Sequence, residues 1–227
     1  MERDKAKNLV IIGAGGFGRE VQWLVERINQ YTSRTAGKGV WNFLGYVDDG
    51  IAPGTKIASS IVLGGCDWLA DYPEDIYVAC AVGSAKVRES IIRRVQKNPR
   101  IRFPNLIDPS VICSDSIVMG QGNIICAGTI LTVDIKILDF CIINLDCTIG
   151  HDVKIDSFVT LYPNVNVSGK VMIGEKAEVG TGTKIIQEKV ITTGVIVGAG
   201  STVICNLPEN CTAVGSPAKP IKYHKQI

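Results

Sequence analysis

The sequence predicts a chain in two parts: a small α/β domain with a parallel sheet, followed by an all-β solenoid. Three observations carry this reading. Strand-like and helix-like periodicities alternate through the first part of the chain. Beyond them an aliphatic residue recurs at every sixth position without slipping phase. The stretch "NPRIRFPN", with two prolines, lies where one pattern gives way to the other. The domains are therefore drawn as residues 1–104 and 105–227.

In the first part "NLVIIG" reads as a short buried strand. "FGREVQWLVERIN" follows as a helix, because Val21, Leu24, Val25 and Ile28 fall at helical spacing. "VWNFLGYVDD" reads as a strand ending on two aspartates, then come "IVLGG", a short helix at "CDWLADY" and the strand "IYVACAVG". Ser84 is placed to cap the helix "AKVRESIIRRVQK", with Val87, Ile91, Ile92 and Val95 on one face. Alternation of this kind argues for a parallel α/β domain.

The second part has a different period. From Ile149, steps of six reach Ile155, Leu161, Val167, Ile173, Val179, Ile185, Ile191, Val197 and Val203. Backward steps reach Ile143, Ile137, Leu131, Ile125, Met119, Cys113 and Ile107. A helix repeats at 3.6 residues and a strand at 2, so neither produces this register. Compact residues stand four after many of these positions, including Thr129, Cys141, Cys147 and Val153, and glycine often stands one after, as at Gly150, Gly174, Gly180 and Gly198. Short strands separated by tight corners coil such a chain into a solenoid. Three sides close one turn, so residues eighteen apart stack.

Composition narrows the function classes. The formal charge is only +2 and no Lys/Arg block occurs, which gives no footprint for nucleic acid or a membrane surface. The apolar run after "MERDKAK" is short for a signal peptide, and no apolar stretch is long enough to span a bilayer. Eight cysteines are scattered without a C-x-x-C pair and read as reduced core residues, and no metal site is expected. A soluble cytoplasmic protein is the expectation.

Two motifs carry chemistry. His151 follows inward Ile149 by two positions, so it should point out of the coil, with Val133 stacked one turn below and Gly169 one turn above. Asp152 follows it directly. An isolated pair of this kind reads as a solvated face. On a solenoid, a glycine above the histidine leaves an open slot and a reachable backbone N–H. The set then offers a base, a carboxylate to orient it and an oxyanion donor. The other histidine, His224, lies in a polar tail and reads as surface. Near the start, "GAGGFGRE" places Gly13, Gly15 and Gly18 in a G-x-G-x-x-G pattern after a strand and at a helix start. This can be a backbone cradle for a diphosphate or a plain tight turn. A dinucleotide site expects an acidic residue about twenty positions on, whereas Asp48 and Asp49 come later. Arg19 suits a phosphate or a solvated helix face.

The sixfold repeat resembles the left-handed parallel β-helix of the hexapeptide acyltransferases. With a glycine-rich, Rossmann-like α/β domain before it, the whole chain resembles bacterial sugar acyltransferases of the sialic-acid O-acetyltransferase type. Close relatives of these N-acetylate nucleotide-linked 4-amino-sugars. The resemblance implies that His151 is the general base, that Asp152 orients it and that Asn144 helps hold the acceptor. It implies that the Gly169 amide holds the thioester carbonyl oxygen and that Asp48 contacts the nucleotide base. "VGAGSTV" and "AVGSPAKPIK" correspond to segments lining the coenzyme A groove, which points to Gly180, Gly198 and Lys219. The family's second histidine, nine after the first, is here Thr160, which is counted with the coenzyme contacts because that place bears on how the acyl group is oriented, and the histidine common in the glycine motif is Phe17. Hexapeptide acyltransferases form trimers with the acyl site between coils of adjacent subunits, so the resemblance implies a homotrimer.

The chemistry fits on its own terms. A thioester is already activated, so transfer requires only removal of a proton from the attacking amine or hydroxyl. A histidine, with an ordinary pKa of about 6.5, does this near neutrality and contributes roughly 10²–10⁴-fold. Cys147 falls on the compact inward column and reads as core, not nucleophile. The expected function is acetyl-CoA-dependent acetylation of a nucleotide-linked amino-sugar for surface glycans. The alternatives are sugar O-acetylation of the sialic-acid type, a NAD(P)-dependent oxidoreductase resting on the glycine motif, and a non-catalytic scaffold.

Overall fold

The computed structural model describes residues 6–224. The chain divides into two compact units. One runs to Gly83 and takes in Val87–Pro109, and the other holds Ser84–Lys86 and continues from Ser110.

The first unit is built on a six-stranded sheet. Its elements are β1 (Lys7–Ile12), α1 (Gly16–Ala36), β2 (Trp41–Val47), β3 (Lys56–Ile57), β4 (Ser60–Gly64), α2 (Cys66–Ala70), β5 (Ile76–Cys80), α3 (Ala85–Val95) and β6 (Ile101–Arg102). The strand order is β3-β4-β2-β1-β5-β6. Strand β1 lies in the middle, parallel to β2 and β5, and Leu9–Ile12 are fully covered. Val21, Leu24 and Val25 bury the inner face of α1. The helix continues past the apolar motif to Ala36 and stops where Gly37 turns left-handed, its N–H returning to the Ser33 carbonyl. Strand β4 falls on the "IVLGG" stretch, whereas β3, its antiparallel hairpin partner, has no signal in the sequence pattern because it is two residues long.

Helix α3 departs from its expected face. Val87 is 50% exposed, whereas Arg88 is 1% exposed. The Arg88 guanidinium donates from Nη1 to the carbonyls of Val82 (2.6 Å) and Gly83 (2.9 Å). Carbonyls of the preceding loop thus draw a charged side chain inward, and the helix rotates Val87 out.

The second unit is the solenoid. Two-residue strands recur from β7 (Leu106–Ile107), which falls in the first unit, through β8 (Ile112–Cys113) to β23 (Thr202–Val203), each ending on one position of the sixfold column. Strand β13 (Ile142–Ile143) pairs in parallel with β16 (Thr160–Leu161), and β14 (Thr148–Ile149) pairs with β17 (Asn166–Val167). Each strand therefore stacks on the strand three later, which makes three sheets and an eighteen-residue turn. The first sheet contains β13 and β16, the second β14 and β17, and the third β15 (Lys154–Ile155) and β18 (Met172–Ile173). Column residues from Ile125 to Val203 are buried, as are the compact residues four after them. Each buried aliphatic side chain contributes about 1.5–3 kcal/mol. Cys113 is exposed at the start of the coil. A hairpin of β24 (Cys211–Val214) and β25 (Lys219–Tyr223) extends the first sheet.

From Met119 to Val197 every corner uses a left-handed residue three after the column position, among them Asp134, Asp146, Asp152, Asn164 and Lys170, with glycine at 122, 128, 182, 194 and 200. Asp and Asn tolerate this conformation better than most side chains. Among the described residues, no helix is long and apolar enough to cross a membrane.

Candidate active site

His151 and Asp152 occupy the corner between β14 and β15. Asp152 has φ of 60°. That left-handed turn lets adjacent side chains meet, and His151 Nδ1 lies 2.8 Å from Asp152 Oδ2. Both side chains are about half exposed, at 57% and 51%. The pair is held by backbone bonds to neighbouring turns: Asp152 N–H donates to the Val133 carbonyl (3.2 Å), and the His151 carbonyl accepts from Lys170 N–H (2.8 Å).

Gly169 stands one turn above, as the stacking requires, but its slot is not open. A Cβ there would fall 2.4 Å from His151 Nε2, so the imidazole occupies the space that glycine leaves. Gly169 is consequently buried, yet its N–H makes no hydrogen bond among the described residues. Buried backbone N–H groups are nearly always paired. The Gly169 amide is thus left without a partner beside the imidazole. Gly150, which the sequence reading treated as a corner residue, belongs to this arrangement. A Cβ on it would lie 2.7 Å from the Gly169 nitrogen. The glycine at 150 keeps the amide uncovered.

Asn144 lies at the preceding corner, between β13 and β14. It is 8% exposed, and its Oδ1 accepts from Leu145 N–H (2.7 Å). Gly180 and Gly198 stack on the same corner column, thirty-six and fifty-four residues beyond Asn144, where a Cβ would strike neighbouring backbone or Val214. Val214 pairs with Lys219 across β24 and β25, so Gly198 and the exposed Lys219 are brought together. The structure thus forms two groups. His151, Asp152 and Gly169 share one corner; Asn144, Gly180, Gly198 and Lys219 share another. The face of the second sheet separates them. Thr160 is buried in β16 between Ile142 and Glu178 of the adjacent rungs. His224 is half-buried rather than at the surface, because its Nε2 lies 2.8 Å from Thr212 Oγ1.

In the first unit the glycine motif makes the turn from β1 into α1. Gly13 has φ of 97°, and a Cβ at Gly18 would sit 1.9 Å from the Gly13 carbonyl oxygen, so neither position accepts a side chain. Gly15 differs: nothing lies within 4 Å of its Cβ direction. The open space there fits a ligand that approaches the backbone. Asp48 reaches this turn and accepts from Ala14 N–H (2.9 Å) and Gly50 N–H (2.9 Å). Asp49 goes elsewhere. Its bond from the Cys66 backbone N–H holds the carboxyl below the ordinary range, and Arg94 pairs with it at 3.0 Å. Only the first of the two aspartates attends the glycine turn.

Cys147 is inward, and burial pushes its thiol up to about 11. It is protonated at neutrality and unsuited to nucleophilic attack. Among the described residues no cluster of three or more His, Cys, Asp or Glu is placed to hold a metal ion.

Comparisons with known proteins add to this geometry. The family described as the PglD N-terminal domain matches residues 8–95. A GDP-perosamine N-acetyltransferase of Escherichia coli O157:H7 is 31% identical over 223 residues, covering 93% of this chain and 95% of the relative. The acetyltransferase domain of PglB from Neisseria gonorrhoeae FA1090, solved in complex with acetyl coenzyme A, superposes with a TM-score of 0.80 at 27% identity. The match covers 96% of this chain and 100% of that one. PerB from Caulobacter crescentus, in complex with CoA and GDP-perosamine, gives a TM-score of 0.79 at 27% identity, over 96% and 99% of the two chains.

Proposed function

The chain belongs to the hexapeptide-repeat nucleotide-amino-sugar N-acetyltransferases, with their left-handed β-helix, and from that premise we propose how its residues carry out the transfer. It is an acetyl-CoA-dependent acetyltransferase acting on a nucleotide-linked sugar. In our reading His151 is the general base. Asp152 binds Nδ1 and fixes the tautomer in which Nε2 keeps its lone pair. The sugar amine attacks the thioester carbonyl carbon as Nε2 takes its proton. Negative charge gathers on the thioester oxygen, which accepts from the Gly169 N–H. Collapse re-forms the carbonyl, breaks the C–S bond and releases coenzyme A thiolate, which recovers the proton. The observation that supports this most is the unpaired, buried N–H of Gly169 against the imidazole.

The glycine turn with Asp48 binds the nucleotide of the acceptor, through backbone N–H groups and the open face at Gly15. Asn144 holds the sugar, and Gly180, Gly198 and Lys219 take the coenzyme. Thr160, where relatives of the sialic-acid type carry a histidine, is left without a chemical step. The separation of the His151 and Gly180 corners supports a homotrimer in which adjacent copies bring the two corners together, cyclic closure being the usual solution. We place the reaction in the cytoplasm, in surface-glycan synthesis.

The direct test is a screen of nucleotide amino-sugars, GDP-perosamine among them, with acetyl-CoA, followed by thiol release. Turnover with at least one amino-sugar and none with its deaminated counterpart is expected. Release with hydroxy-sugars alone would favour O-transfer. No release with any acceptor would contradict the proposal.

A further inference from the structure

The corner that carries Asn144 holds one bulky residue that the mechanism does not use. The column runs Asn144, Tyr162, Gly180, Gly198. Tyr162 follows inward Leu161 by one position, so it belongs to the outer surface of the coil and not to its core. Its ring is half-buried, and its hydroxyl donates to Glu178 Oε2 at 3.1 Å. A carboxylate only accepts, so the direction is fixed. Glu178 opens β19 (Glu178–Val179), and its other oxygen accepts from Ala85 N–H at 2.9 Å within the same unit. Both ends of the carboxylate are thus held, and the tyrosine ring with it.

One rung below, Asn144 has its Oδ1 committed to Leu145 N–H and its backbone carbonyl to Thr129 Oγ1. Its amide N–H₂ makes no hydrogen bond among the described residues and is not one of their buried, unpaired side-chain atoms, so it opens to solvent at the corner and is free to donate to a ligand. One rung above, Gly180 presents no side chain at all.

We infer that Tyr162 is the wall of the acceptor-sugar site beside Asn144, and that Glu178 is the positioning residue that holds this wall in place. The inference rests on the acetyltransferase reading. A pyranose offers an apolar C–H face and a set of polar oxygens. A fixed aromatic plane beside a free carboxamide donor meets both needs. Neighbouring rungs lie about 4.8 Å apart, which places the two groups within the span of one sugar ring. Pinning the ring in advance removes the ordering cost from the binding step. The bare glycines above leave the rest of the column to the donor, so Tyr162 also marks where the acceptor ends and the coenzyme begins.

The test uses the full chain and the amino-sugar nucleotide that wild type turns over best in the thiol-release screen. Tyr162→Ala is expected to raise the KM of that acceptor roughly 2- to 10-fold, the range for losing one packed aromatic surface, with the KM of acetyl-CoA and the melting temperature unchanged. Tyr162→Phe keeps the plane and should recover most of the loss. Glu178→Gln keeps a carbonyl acceptor and should lie near wild type, whereas Glu178→Ala should match Tyr162→Phe. If the alanine variant does not fold, Tyr162→Leu supplies bulk without a plane and gives the same readout. Equal KM values in wild type and Tyr162→Ala or Tyr162→Leu would overturn the inference. So would a rise in both substrate constants accompanied by a lower melting temperature, which is the signature of a purely structural residue. Wild type that acetylates no amino-sugar would strike the acetyltransferase reading first, before any variant is compared.

Discussion

Replacing Gly169 with alanine adds a Cβ that would fall 2.4 Å from His151 Nε2, 2.6 Å from Cε1 and 2.9 Å from Cδ2. Ordinary contact begins at 3.4 Å. The imidazole must therefore retreat by about 1 Å, a displacement that alone can cost roughly 10²-fold in rate. The ring is free to retreat because the His151 side chain is more than half exposed. Gly169 has no left-handed φ, so alanine adds no backbone strain, and restricting the unfolded chain should offset small losses. Stability should change by less than about 1 kcal/mol. The Gly169 N–H remains in the variant, so the loss falls on placement of the base. The assay is kcat at saturating substrates beside a melting curve, with KM for acetyl-CoA measured in parallel. The expected outcome is kcat down roughly 10²-fold with an unshifted melting temperature. A folded Gly169→Ala enzyme within a few-fold of wild type would refute the claim that the imidazole works from this slot.

Other outcomes follow from the same geometry. Gly15→Val should fold, since nothing lies within 4 Å of that position, but it should raise the KM of the acceptor far more than that of acetyl-CoA; unchanged constants would reduce the glycine motif to a turn. Gly18→Ala, with its Cβ 1.9 Å from a backbone oxygen, should instead lower the melting temperature, and a variant as stable as wild type would contradict the packing described. The Cys147 thiol, pushed up to about 11 from 9.0 by burial, stabilises the fold while it is protonated. That contribution is complete below pH 9 and is lost as pH rises towards 11, so the alkaline fall in melting temperature should be shallower in Cys147→Ala. Light scattering should give a trimer, and a stable, fully active monomer would contradict the shared site.

The coil was legible because its period belongs to nothing else. Seventeen positions in unbroken steps of six, from Ile107 to Val203, admit neither a helix nor a continuous strand, and the structure ends a strand on every one. The outward direction of His151 and its stacking on Gly169 follow from counting alone. Other features had no such signal. Arg88 is buried because loop carbonyls claim its guanidinium, and a rule that places charge outside cannot anticipate this. The left-handed corners were visible only as a scatter of Asp, Asn and Gly three after each column residue, a pattern that explains in retrospect why an aspartate can turn back onto His151. Gly150 passed for a corner glycine because its purpose, an uncovered amide nineteen residues away, is a contact between turns. The link from Tyr162 to Glu178 spans sixteen residues, from one rung of the coil to the next, so no local motif records it. Asp48 and Asp49 were equal in sequence and are separated by their partners, Ala14 for one and Cys66 with Arg94 for the other.

The central claim is that His151 takes the proton from the attacking amine, and kcat of His151→Ala at saturating substrates, measured beside a melting curve, tests it most directly. The side chain points out of the coil, so folding, assembly and acetyl-CoA binding should survive its loss. Turnover should lie at least roughly 10²-fold below wild type. A variant that melts like wild type and turns over within a few-fold of it would contradict the account.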